Sequence, residues 1–221
     1  ATLFLNGAAH IQHHYLFNSA AYSGTYRNPD WYLPAGVDPV LEIYRLYDRL
    51  LGELAALRPA PRLMLATGLH QDPVSEPVFY WRLRDHDAFL RRIGCAFASV
   101  EPRMSRDFLV SCASAADAAA TAARLQSGRA PGGLPLFEVD NRGETLFVTL
   151  SYPREIKPDF TATFDGATVP DLARETVFVA IKNGHHNGTG YFLDTGARGA
   201  PAAEPIPLTE LWQRMLSAFP R

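Results

Sequence analysis

The chain has 221 residues, 47% hydrophobic and 20% charged, with 21 Lys and Arg against 23 Asp and Glu and a formal net charge of -2. This excludes disorder over the bulk of the chain and leaves no general basic field for nucleic acid or an anionic membrane surface. The length suits one domain, or one domain carrying an insertion.

In chain order, Thr2, Leu3, Phe4 and Leu5 predict a buried strand over residues 2–6. No initiator Met and no signal-like segment precede it. A domain rarely begins inside its core, so further residues are expected upstream of Ala1. Gly7 is a turn, and a helix is predicted over 8–22, before a loop marked by Asn28, Pro29 and Pro34. Asp38 and Pro39 open a second helix with an N-cap and a first-turn proline. Its apolar stripe is Val40, Tyr44, Tyr47, Leu51 and Leu54, and Pro59 and Pro61 stop it. A short apolar strand is predicted over 62–67, ended by Gly68.

The middle of the chain changes style. Residues 78–83 are aromatic and strand-like, and 85–92 predict a short helix. A strand over 108–110 and an Ala-rich helix over 114–126 follow, then a glycine-containing loop over 127–133. Strands over 136–140 and 145–151 flank Asn141, Arg142 and Gly143 as a hairpin. The last part predicts a buried strand over 176–182, a Gly- and His-rich loop over 184–190 and a strand over 191–194. A closing helix is expected over 207–219, with Leu208, Leu211, Trp212 and Leu216 inward.

The expected fold is α/β. Strands 2–6, 62–67 and 176–182 form one mainly parallel sheet with helices on both faces, because each is apolar throughout. Residues 1–83 and 169–221 make this core. Residues 84–168 make a small inserted α+β cap, with a separate lobe over 107–151. The longest apolar runs, such as Thr176 to Ile181, are far too short to span a bilayer. Two cysteines, Cys95 and Cys112, build no disulfide framework and read as inert core thiols, which favours a reducing, cytoplasmic setting.

Seven histidines occur, five of them in two clusters. His10 and His14 are four apart on a predicted helix and share a face, with His13 beside them. His185 and His186 follow the predicted strand 176–182, and His70 follows the strand 62–67. Ligand sites in open α/β sheets lie beyond the carboxyl ends of strands, and neutral imidazole suits zinc and similar ions. A His pair at helical spacing is also common as plain surface or core packing. His86, between Asp85 and Asp87, reads as solvated surface. Tyr15, Tyr22, Trp31, Tyr32, Tyr44, Tyr47, Tyr80 and Trp81 read mainly as core packing, with base or sugar stacking the lesser alternative. No Gly-x-Ser-x-Gly nucleophile elbow occurs, and no helix follows the loop 184–190 to make it a phosphate cradle.

These residues resemble the alkaline phosphatase superfamily in its type I phosphodiesterase and nucleotide pyrophosphatase branch. Asn6-x-x-x-His10 matches that family's first motif with Asn for Asp. His186 to Gly196, with Gly190 four residues after His186, matches its late motif. Thr67-Gly68-Leu69-His70 stands where Ser-Asp-His-Gly is expected and departs from it. The resemblance covers roughly 1–83 and 169–221.

The resemblance implies a metal-dependent phosphodiester or phosphomonoester hydrolase acting on a small-molecule substrate, with no nucleic-acid partner and no membrane span. It implies a divalent ion, usually zinc, held by Asn6, His10 and His186, with His14, His70 and His185 as possible additional ligands. The ring nitrogens of His10 and His186 are then expected about 3–4 Å apart around one ion. His185, adjacent to His186, is expected to diverge from it on an extended chain. The nucleophile, a Ser or Thr, is expected upstream of Ala1, and the second ion's ligands are degraded at Gly68 and Leu69. Asn6 also removes a negative charge from the first site. The competing reading is a catalytically inactive binding or scaffold domain that kept the fold and lost the metal ligands; Asn6, Gly68 and Leu69 support it.

Overall fold

A computed structural model describes residues 1–197 and 204–218. The chain divides into two compact units, residues 1–75 together with the described residues from 183 onward, and residues 76–182.

The first unit opens with α1 (Gly7–Tyr15), a single 3-10 turn (Leu16–Asn18) and α2 (Pro39–Ala55). Asp38 starts α2 as expected: its carboxylate accepts from the backbone N–H of Leu41 at 2.9 Å. The same carboxylate accepts from the N–H of Ala20 at 2.9 Å, which ties the loop after α1 to the start of α2. The Tyr47 hydroxyl accepts from the N–H of Ala8 at 3.1 Å, so a residue of the α2 stripe satisfies one of the donors left open at the start of α1. After α2 comes β1 (Met64–Thr67), which pairs antiparallel with the late strand β10 (Tyr191–Asp194), Met64 opposite Asp194 and Thr67 opposite Tyr191. Arg62 clamps the end of this ribbon through two bonds to the Asp194 carboxylate, at 2.9 and 2.6 Å. That fork holds the Asp194 carboxyl down at about 2. α6 (Glu210–Ser217) is the last described element.

The second unit holds the main hydrophobic core. Its elements are α3 (His86–Arg92), β3 (Ser99–Pro102), β4 (Asp107–Ser111), α4 (Ala115–Gln126), β5 (Phe137–Asn141) and β6 (Thr145–Leu150). The four strands form one antiparallel sheet in the order β3-β4-β6-β5. Phe108 and Val110 of β4 and Leu146, Val148 and Leu150 of β6 are buried at every second position, the period of a sheet with one face on the core. α4 covers that face with Ala118, Thr121, Ala122 and Leu125, all buried at helical spacing. Ser114 caps it, accepting from the N–H of Asp117 at 3.1 Å while its hydroxyl donates to the Asp117 carboxylate at 2.7 Å. The hairpin expected around Asn141 to Gly143 is present as β5 and β6. A further hairpin joins β7 (Ala162–Phe164) to β8 (Ala167–Val169). Its turn residues Asp165 and Gly166 both have positive φ, 46° and 78°, as the twist of a two-residue turn demands. A four-residue helix, α5 (Leu172–Glu175), follows.

Two long strands contain the boundaries between the units in their own sequence: β2 (His70–Leu83) and β9 (Thr176–Asn187), which pair with each other.

The expected α/β fold with a large parallel sheet is not what forms. The described strands make small sheets of two, two, four and two strands. Residues 2–6 are not a strand, and Leu3, Phe4 and Leu5 are 62%, 86% and 41% exposed. A strand of a parallel sheet must be covered on both faces, and this segment is covered on neither. Only Gly68 and Leu69 separate β1 from β2, whereas a parallel neighbour needs a crossover of about a dozen residues. Short apolar runs fit an antiparallel ribbon as well as a buried parallel strand, and the pairing partner decides between them.

Smaller expectations also change. The helix predicted over 8–22 ends at Tyr15. The loop predicted over 184–190 begins as strand, since β9 continues to Asn187. His86 is buried rather than solvated, its ring edge-on to Phe108 at 4.9 Å. Burial, helped by the Arg82 charge, pushes His86 down to about 4, so it is neutral in the folded chain. The closing helix predicted over 207–219 is shorter, α6 beginning at Glu210, and Leu208, Trp212 and Leu216, expected inward, are exposed; residue 219 lies outside the described ones.

Candidate functional site

Six of the seven histidines belong to the first unit, on α1, at the start of β2 and at the end of β9. Strand alternation sorts those on β2 and β9. His70 and Asp72 point to one side of β2 and Gln71 to the other. On β9, His185 and Asn187 share a side and His186 takes the opposite one.

The first group joins His186, Gln71 and His13. His13 Nδ1 lies 3.0 Å from the Gly184 carbonyl oxygen. A carbonyl only accepts, so Nδ1 carries the proton and, in the neutral ring, His13 Nε2 presents a lone pair. Two groups reach that lone pair: His186 Nε2 at 2.7 Å and the Gln71 side-chain nitrogen at 3.2 Å. The two rings stand 4.6 Å apart, tilted by 44°. Gln71 is buried, and its Oε1 has no hydrogen-bond partner.

A buried amide pair positions this group. Asn183, fully buried, accepts at Oδ1 from the Phe17 N–H at 3.1 Å and from Asn28 Nδ2 at 2.7 Å. Its own Nδ2 donates to Asn28 Oδ1 at 2.9 Å. Those bonds hold the residue before Gly184 to the chain that follows α1. Gly184 itself has little room: a Cβ there would stand 3.1 Å from the Gln12 carbonyl oxygen and 3.1 Å from Gln71 Oε1.

The second group lies on the other side of β2. His70 Nδ1 lies 2.6 Å from the Thr189 carbonyl oxygen, and His70 Nε2 lies 3.2 Å from Asp72 Oδ1. Asp72 Oδ2 accepts from Asn187 Nδ2 at 2.8 Å. The Asn187 hydrogen bond, with the nearby His70 and His185, holds the Asp72 carboxyl below the usual carboxylate range. Asn187 Oδ1 in turn accepts from the Thr189 N–H at 3.1 Å, which closes the turn around the group.

The residues of the ligand set that the sequence suggested, Asn6, His10 and His186, make their described side-chain contacts with other partners or with none. His186 meets His13; His10 stands edge-on to His14, with ring centres 5.1 Å apart. Among the described residues no hydrogen bond or ring contact joins His186 to His10 or Asn6. Asn6 sits at the N-cap of α1 and makes no side-chain cap bond. His185 and His186 part company, His186 to His13 and His185 to the Asp72 side. His13, Gln71, Asp72 and Asn187 were not singled out as ligands. The signal that could have found them is the two-residue period of 70–72 and 185–187, hidden because 184–190 read as loop.

Among the described residues, no group of three or more His, Cys, Asp and Glu side chains is gathered as a metal site, and no helix is long and apolar enough to cross a membrane. Cys95 is half-buried and Cys112 buried; burial pushes the Cys95 thiol up to about 11, which makes it a poor nucleophile. Comparison with protein-family models, with curated proteins and with solved structures finds no match to this chain.

Proposed function

We propose that the first unit binds a divalent transition-metal ion of the zinc class through His13 Nε2, His186 Nε2 and the side-chain oxygen of Gln71. The observation that carries this is the convergence of two imidazole Nε2 atoms, 2.7 Å apart, beside a buried amide whose oxygen is unpartnered. His13 already has the supporting arrangement of a ligating imidazole, its other ring N–H spent on a backbone carbonyl. An ion between the rings replaces the shared proton. Two ligand nitrogens on one tetrahedral ion lie about 3.3 Å apart, so the rings open by a little over half an ångström. Turning the Gln71 amide over brings Oε1 toward the ion, gives that oxygen a partner and moves the N–H away from a cation. Amide assignments of this kind rest on the hydrogen-bond network, and the ion changes the network.

Imidazole nitrogens favour zinc, copper and nickel over magnesium or calcium. Phosphoester hydrolysis has less to stand on. The family that suggested it places its ions on the edge of a large parallel sheet, and the described residues form none.

The test is zinc titration of the whole chain by calorimetry, with His13→Ala, His186→Ala and His10→Ala alongside. His13→Ala and His186→Ala are expected to weaken zinc binding tenfold or more, and His10→Ala to leave it nearly unchanged. A larger loss in His10→Ala, or no zinc binding by the unmodified chain, overturns the proposal.

A further inference from the structure

The His70 group has a geometry that the His13–His186 site does not use. Its two central atoms, His70 Nε2 and Asp72 Oδ1, lie 3.2 Å apart. An imidazole nitrogen at about 2.0–2.1 Å and a carboxylate oxygen at about 2.0–2.2 Å from one tetrahedral ion are about 3.3–3.5 Å apart. The pair is therefore already at the spacing of two ligands.

Both ligand atoms are held from behind. The Thr189 carbonyl takes the His70 Nδ1 proton, as the Gly184 carbonyl takes that of His13. Asn187 fixes the other Asp72 oxygen. These are the outer contacts that orient ligating His and Asp side chains. A general-base role for His70 fits poorly, because both ring nitrogens face acceptors and neither offers a free lone pair. An ion takes the place of the proton on Nε2 and satisfies ring and carboxylate together. His185, on the same side of β9 as Asn187, lies close enough to Asp72 to lower its carboxyl.

We infer that His70 and Asp72 supply two ligands of a second site for a divalent transition ion, on the opposite side of β2 from Gln71. The site is open to solvent, since the side chains of His70 and Asp72 are 31% and 40% exposed. Two protein ligands leave the remaining positions to water or to a small anionic ligand. One nitrogen-rich and one carboxylate-containing site also differ in preference, because carboxylate oxygen raises the affinity for harder ions. This inference stands independently of the His13–His186 reading.

The experiment is zinc titration of the whole chain by calorimetry, with Asp72→Asn, His70→Ala and the double variant His13→Ala/His186→Ala. Two zinc ions per chain are expected. Asp72→Asn and His70→Ala each weaken one of them tenfold or more and spare the other, while the double variant does the reverse. Long-range imidazole 15N spectra of the unmodified chain supply a readout free of substitution: zinc moves the His70 Nε2 resonance and leaves Nδ1 protonated. If Asp72→Asn and His70→Ala keep full stoichiometry and affinity, or if the His70 resonances do not move, the pair is an ion pair only and the inference falls. One ion lost only in the double variant sinks the second site and keeps the first. One ion lost only in Asp72→Asn and His70→Ala does the opposite.

Discussion

His13 Nε2 and His186 Nε2 lie 2.7 Å apart although 173 positions separate them in sequence. One ring comes from a helix and the other from the last residues of a long strand, and both are carried by the unit that lacks the main hydrophobic core. A buried polar network ties their two segments together: Asn183 and Asn28 exchange side-chain bonds, and the Phe17 N–H joins them. Buried polar groups that are fully paired hold one arrangement, because any other leaves a donor or acceptor stranded.

Asn183→Ala is accordingly expected to cost about 2 kcal/mol, since it strands Asn28 Oδ1 and the Phe17 N–H in a buried place, while Asn28 Nδ2 keeps Asn18 Oδ1. The double variant Asn28→Ala/Asn183→Ala is expected to cost less than the sum of the single ones, because each removes the other's partner. Urea unfolding of the four proteins checks this. Additive losses would show that the two amides act independently.

The role of Gln71 separates ion binding from structure. Gln71→Met keeps the volume and removes both the unpartnered oxygen and the N–H that faces His13. Without metal, its stability is expected to stay within about 1 kcal/mol of the unmodified chain, because the lost hydrogen bond is offset by losing a buried unpaired acceptor. Zinc affinity of the His13–His186 site is expected to fall several-fold. An equal loss of stability with and without zinc would assign the amide a structural role alone.

His86 makes the second unit acid-sensitive. Its folded value is depressed from 6.5 to about 4, so the unfolded chain binds a proton that the folded chain refuses. The contribution is fully present above pH 6.5 and is lost as the pH falls toward 4, amounting to about 3 kcal/mol at the low end. His86→Leu is expected to flatten this part of the stability curve, read as urea midpoints at pH 7.5 and 4.5. Parallel curves for the two proteins would place the acid sensitivity elsewhere.

Gly190 is where the turn after β9 meets β1. A Cβ there would overlap the Thr67 carbonyl oxygen, a backbone atom that cannot swing aside. Gly190→Ala is expected to open the β1–β10 ribbon and to release the Thr189 carbonyl from His70. Hydrogen exchange should show lost protection at the paired β1 and β10 amides and unchanged protection in β4 and β6. Retained protection in the ribbon would mean the backbone can part locally at little cost.

Local chemistry made several elements legible in the sequence alone. Asp38 before Pro39 is a side chain that satisfies an open N–H group of a helix start whatever the rest of the chain does. The hairpin around Asn141 to Gly143 is local for the same reason. The two histidine clusters were legible too, as composition and spacing. Tertiary structure decided the rest. An apolar run such as residues 62–67 carries no mark of its neighbour, so antiparallel pairing with residues 191–194 appears only when the chain folds. His10 and His13 are nearly equivalent on one helix face, and only the approach of β9, fixed by Asn183, selects His13 for His186. Likewise, whether His185 or His186 turns toward α1 depends on how far β9 stays extended. That is set by pairing with β2, a strand more than a hundred residues earlier, because a side chain on a strand points where the register puts it.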